Sequence, residues 1–122
     1  MGKRVLLIED EPYIIEAISF ILTRDGWTVH TQEDGETDMD KIATKPPDMI
    51  ILDVMLPGRS GFDILRDLRS HTASKDIPVM MLTARGQEKD RELALRLGAN
   101  HFMTKPFSNS EVRDYVRNLM DA

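Results

Sequence analysis

Short runs of uninterrupted aliphatic residues alternate along the chain with stretches in which apolar positions recur every three or four residues. Lys3 to Ile8, Met49 to Asp53 and Ile77 to Leu82 are runs of the first kind, the form a strand takes when helices cover both faces of its sheet. Trp27 to Thr31 alternates apolar with polar residues, and Asn100 to Thr104 is a short fifth strand. Between the first two strands, Ile14, Ala17, Ile18, Ile21 and Leu22 fall on one face of a helix that Pro12 opens and Gly26 closes. Glu36 to Thr44 is a weakly amphipathic second helix, stopped by Lys45-Pro46-Pro47. Phe62, Ile64, Leu65 and Leu68 share one side of a third helix over 62–70. After Arg85-Gly86 a fourth helix carries Leu93, Ala94 and Leu97 and ends at Gly98. Ser108 or Ser110 caps a fifth, with Val112, Tyr115, Val116, Leu119 and Met120 inward.

Five strands alternating with five helices predict a doubly wound α/β sheet, because parallel strands need crossover connections and those are right-handed. The 122 residues make one domain, 1–122, without repeats, linkers or low-complexity segments. In such a sheet the ligand crevice lies outside the carboxyl ends of the strands, where strand order reverses. The residues that matter are therefore the strand ends: Glu9, Asp10, Asp53, Thr83 and Lys105.

Composition narrows the function classes. A content of 41% hydrophobic and 30% charged residues is ordinary for a soluble domain, and no apolar run is long enough for a membrane span. Glu9 and Asp10 interrupt the first apolar run too early for a signal peptide. With no cysteine, disulfides, thiolate metal sites and cysteine nucleophiles are excluded, which fits a cytoplasmic protein. A formal net charge of -5 and the lack of a basic stripe argue against a nucleic-acid surface. His30, His71 and His101 show no ligand spacing and are read as incidental.

Asp53 ends an apolar run and precedes the loop Val54-Met55-Leu56-Pro57-Gly58-Arg59-Ser60-Gly61. Taken alone, it is a carboxylate that starts a turn. The other strand ends change its meaning. Carboxylates at adjacent strand ends repel one another by about 4 kcal/mol per pair at 4 Å and an effective dielectric of 20, so positive charge belongs among them. Lys105 is one source, and a hard divalent cation with carboxylate, carbonyl and water ligands is another. A metal beside an ammonium and a hydroxyl suits phosphoryl transfer, with Asp53 as nucleophile, Lys105 neutralising the transferred oxygens and Thr83 hydrogen-bonding one of them.

Four pieces in this order, Leu7-Ile8-Glu9-Asp10-Glu11, Leu52-Asp53-Val54-Met55-Leu56-Pro57 with Gly61, Leu82-Thr83-Ala84 and Thr104-Lys105-Pro106-Phe107, resemble the response-regulator receiver domain of two-component signalling. The resemblance runs from Val5 to Leu119. It implies a flavodoxin-like (βα)5 fold with strand order 2-1-3-4-5, and a phosphoacceptor Asp53 supplied by a histidine kinase or histidine phosphotransfer protein. It implies Mg²⁺, or Mn²⁺ in its place, held by Asp10, Asp53 and the Met55 backbone carbonyl with support from Glu9. Thr83 and Lys105 would bind the phosphoryl group, Phe102 would take the place of the family's rotating aromatic, and Lys105-Pro106 would be cis. Thr83 would be drawn toward the phosphoryl group, opening space for Phe102 and reshaping the face made by helix four, strand five and helix five.

The chain also departs from one subfamily. Winged-helix regulators usually carry Ala-Asp-Asp-Tyr after the helix-four glycine and a basic residue on helix five; here Ala99-Asn100-His101-Phe102 and Tyr115 stand there. The expectation is a monomer or weak dimer that signals to a protein partner without touching nucleic acid or membrane, and that is not a turnover enzyme. Two alternatives remain: an N-terminal receiver cut from a DNA-binding regulator, and an aspartate-nucleophile phosphohydrolase. The hydrolase needs a second acid two residues after the nucleophile, where this chain has Met55.

Overall fold

A computed structural model describes residues 3–35, 39–84 and 88–121. The predicted start of helix two at 36–38, the Arg85-Gly86 turn and the side chain of Met120 lie outside the described residues. The strands are β1 (Lys3–Ile8), β2 (Trp27–Gln32), β3 (Met49–Asp53), β4 (Val79–Thr83) and β5 (His101–Thr104), and the helices are α1 (Pro12–Arg24), α2 (Met39–Thr44), α3 (Gly61–Ser70), α4 (Glu88–Arg96) and α5 (Asn109–Asp121). All strand pairs are parallel, in the order β2-β1-β3-β4-β5. The order reverses between β1 and β3, which opens the crevice at their carboxyl ends.

β3 and β4 are buried at every residue, as their unbroken apolar runs predict. Alternate residues feed two cores. Ile8, Ile50, Leu52 and Met81 pack with Ile42 of α2, Ile64, Leu65 and Leu68 of α3 and Ala94 of α4. Val5, Leu7, Ile51 and Met80 pack on the other face with Ile18 and Leu22 of α1 and Val112 and Val116 of α5.

Local chemistry sets the boundaries. Glu11 is the N-cap of α1 and Pro12 opens it, where a missing N–H is harmless. β4 starts at Val79 rather than Ile77 because the Ile77 amide donates to the Ser74 carbonyl in a turn and Pro78 has no N–H. Asn100 is likewise outside β5: its side-chain oxygen accepts from the Val79 amide at 2.9 Å while its own amide donates to the Val79 carbonyl at 2.8 Å. Gly98 has φ +107°, the left-handed conformation that ends α4. Of the two serines predicted to cap α5, Ser108 does so. Its hydroxyl accepts from the Glu111 amide at 3.1 Å and the Glu111 carboxylate accepts from the Ser108 amide at 3.3 Å, a reciprocal capping box.

Candidate functional site

β1 ends at Ile8, so Glu9 and Asp10 follow directly above the sheet edge, and β3 brings Asp53 to the same edge one strand over. Carboxylate oxygens of Glu9, Asp10 and Asp53 lie within 4.8 Å of one another. Asp53 is 2% exposed and Glu9 fully buried, while Asp10 is partly exposed. The loop after Asp53 folds back because the Gly61 amide donates to the Val54 carbonyl at 2.9 Å. A Cβ on Gly61 would collide with the Asp53 carbonyl oxygen, so only glycine lets α3 start this close to the strand end. Ser60 caps α3, its hydroxyl accepting from the Phe62 amide at 3.1 Å. The Met55 amide donates to Asp53 Oδ1 at 3.3 Å, and the Met55 side chain stands 57% exposed beside the cleft.

Lys105 enters from the end of β5, anchored by its amide to the Thr83 carbonyl at 2.7 Å. The Lys105-Pro106 peptide is cis. The Lys105 Nζ lies 2.7 Å from Glu9, 3.3 Å from Glu11 and 3.4 Å from Asp53. The shortest of these contacts misses the hydrogen-bond direction: Glu9 Oε1 is buried without an aligned donor, so the contact is an ion pair. Its other oxygen accepts from the Asp10 and Glu11 amides at 2.9 and 3.3 Å.

The electrostatics follow from crowding and burial. Burial raises the Glu9 pKa, the adjacent Asp53 carboxyl and its charge raise it further, and the ion pair with Lys105 partly offsets them. Burial also raises Asp10, against its own backbone hydrogen bond, with the charges of Glu9 and Glu11 adding to the shift. For Lys105 burial acts downward, but the close contact with Glu9 and the charges of Asp53, Glu9 and Glu11 outweigh it and raise its pKa. The ammonium therefore stays charged. A buried carboxylate oxygen lacking an aligned donor, within a three-carboxylate cluster of hard oxygens, fits a divalent cation.

Thr83 ends β4 fully buried, opposite Thr104 in the strand register, and its strand meets β3 with Leu82 beside Asp53. Phe102 is 5% exposed, packed inward in the core that holds Met81, Ala94 and Ala99. A groove of about 500 Å³ lies elsewhere, under α2 between Arg4, Leu6 and Ile42, and shares no lining residue with the cleft.

Three features escaped the sequence reading. Glu11 reaches Lys105, a contact its place beside Glu9-Asp10 hinted at. Arg69 donates to the carbonyls of Gly98, Ser74, Lys75 and Ile77 and to the Asn100 side chain, at 2.7–3.4 Å, a clamp with no local sequence signal. His101, read as incidental, stacks on Tyr115 with ring centroids 3.7 Å apart.

The family model for the response regulator receiver domain matches residues 5–117. The chain is 40% identical over 120 residues to the phosphate regulon transcriptional regulatory protein PhoB of Escherichia coli, covering 98% of this chain and 52% of that protein. It spans about half the length of the curated relatives it matches. Among solved structures, a putative response regulator from Chloroflexus aurantiacus superposes with a TM-score of 0.93 at 30% identity over 100% of both chains. The receiver domain of a Pseudomonas aeruginosa sensor histidine kinase, solved with a magnesium ion coordinated in its active-site cleft, gives 0.89 at 28% identity, again over 100% of both chains. Among the described residues no helix is long and apolar enough to cross a membrane.

Proposed function

The chain belongs to the response regulator receiver family, and from that premise we propose that Asp53 is its phosphoacceptor, charged by the phosphohistidine of a sensor histidine kinase or histidine phosphotransfer protein. One observation carries the reading: the 2%-exposed Asp53 lies where Lys105 and two further carboxylates converge at the switch point of the sheet. An Asp53 oxygen attacks phosphorus in line, and the electron pair of the breaking N–P bond goes to the imidazole nitrogen of the donor. Lys105 places its ammonium against a phosphoryl oxygen, and Thr83 offers its hydroxyl to another. Glu9, Asp10, Asp53 and the Met55 backbone carbonyl would hold Mg²⁺, or Mn²⁺ in its place, which when bound supplies positive charge to the phosphoryl oxygens. Glu9 holds that arrangement together by fixing Lys105 and by accepting the amides at the start of α1.

Residues 1–122 act as one receiver domain, cytoplasmic, a monomer or weak dimer, without contact to nucleic acid or membrane. The phosphoryl group draws Thr83 toward Asp53, changes what Phe102 packs against and alters the α4-β5-α5 face for a protein partner. Met55, where an aspartate-nucleophile phosphohydrolase needs its second acid, favours a protein that holds the phosphoryl group over one that turns it over. A second reading, the receiver part of a longer regulator, is favoured by relatives of twice the length that are named transcriptional regulatory proteins; the reading frame of the gene beyond residue 122 tests it.

Incubation with Mg²⁺ and acetyl phosphate, followed by intact mass, tests the acceptor. One phosphoryl group is gained, and Asp53→Asn gains none. Turnover of the donor without lasting gain points to the hydrolase, and no change at all points to a receiver that only binds partners.

A further inference from the structure

Glu11 stands where a helix wants a short capping side chain, yet caps nothing. It is the N-cap of α1, with φ −81° and ψ 116°, and its carboxylate accepts no amide of the first turn. Instead it reaches across the cleft to Lys105 Nζ at 3.3 Å. Among the described residues Lys105 is the only partner of that carboxylate. The other two carboxylates on Lys105 differ in kind: the side chains of Glu9 and Asp53 are 0% and 3% exposed and belong to the three-carboxylate cluster, whereas Glu11 is 56% exposed and lies outside it.

We propose that Glu11 is a positioning residue that holds the Lys105 ammonium back from the phosphoryl group and sets how readily Asp53 accepts an anionic donor. The inference rests on the reading of Asp53 as phosphoacceptor. With acetyl phosphate, an Asp53 oxygen bonds to phosphorus, the bond from phosphorus to the acetyl oxygen breaks, and acetate leaves with the electron pair, so the total charge is unchanged. For that step Lys105 must turn an N–H to an incoming phosphoryl oxygen. Glu11 competes for the same ammonium and keeps a negative charge at the mouth through which a dianion enters. Both effects slow acceptance and weaken the phosphorylated state. Neither supports the fold, because the helix gains no hydrogen bond from this side chain.

The test compares wild type, Glu11→Gln and Glu11→Asp at saturating Mg²⁺, with acetyl phosphate as donor and quenched intact mass as readout. Glu11→Gln raises the second-order rate constant about fivefold, the scale of one unit-charge contact in water. The difference shrinks between roughly 0.05 and 0.5 M salt as the Debye length falls. Glu11→Asp restores part of the slow rate, and thermal midpoints stay together. Rates equal in wild type and Glu11→Gln overturn this inference alone, as does a faster variant whose advantage ignores salt. A wild-type chain that gains no phosphoryl group overturns the acceptor reading and this inference with it.

Discussion

α3 and α4 lie against the same face of the sheet and are held there very differently. α3 follows the loop of Asp53 and sinks Ile64, Leu65 and Leu68 completely. α4 follows Thr83 and sinks Ala94 as its one fully buried apolar side chain, with Leu93, and Leu97 just past its end, half-buried and Leu95 44% exposed. Each buried leucine or isoleucine is worth about 1.5–3 kcal/mol, so α3 is fixed by several times the apolar burial that holds α4. Just past its far end, Arg69 grips the Gly98 carbonyl at 3.0 Å. The difference teaches where a change at Asp53 can travel. The α3 side is a rigid wall that fixes the acceptor, and the α4 side is the part that can be displaced.

The largest expected contrast is in stability. Leu65→Ala in α3 should cost about 2–5 kcal/mol in urea unfolding, through lost burial and a cavity, whereas Leu95→Ala in α4 should stay within about 0.5 kcal/mol. Similar losses at both positions would break the comparison. Next comes the clamp. Arg69→Met should cost about 1–3 kcal/mol by leaving carbonyls of the 71–77 turn and the α4 end unpaired, and should speed amide exchange in α4 more than in α3.

The smallest effect concerns pH. Burial, aided by the Arg91 charge, lowers the His101 pKa below its ordinary 6.5, and its Nε2 is buried without a hydrogen-bond partner. As pH falls through that ordinary value the unfolded chain takes up a proton that the folded chain resists. Stability is therefore full above it and declines until the folded-state pKa is reached. The loss between about pH 7.5 and about pH 5.5 should be smaller in His101→Phe, measured by urea midpoints at both ends.

Much of this was legible in the residues themselves. Unbroken apolar runs marked β3 and β4, three-and-four spacing marked α1, α3 and α5, and the polar residues closing those runs marked Glu9, Asp10, Asp53, Thr83 and Lys105. The strand starts were less legible, because Pro78 and the Asn100 side chain end the pairing through bonds that only the folded chain makes. Arg69 was invisible for the same reason: its acceptors are backbone carbonyls up to 29 positions away. The contacts of Glu11 with Lys105 and of His101 with Tyr115 were not legible, because a residue's neighbours along the chain say little about which strand end or helix face it meets.

The most direct measurement is hydrogen exchange on the protein with and without Mg²⁺ and beryllofluoride, a mimic of the phosphoryl group on Asp53. The expected result is altered exchange in α4 and β5, around Thr83 and Phe102, while the amides of α3 keep their protection. Equal change in α3 and α4, or change confined to α3, would contradict the division of the molecule into a fixed wall and a displaceable side.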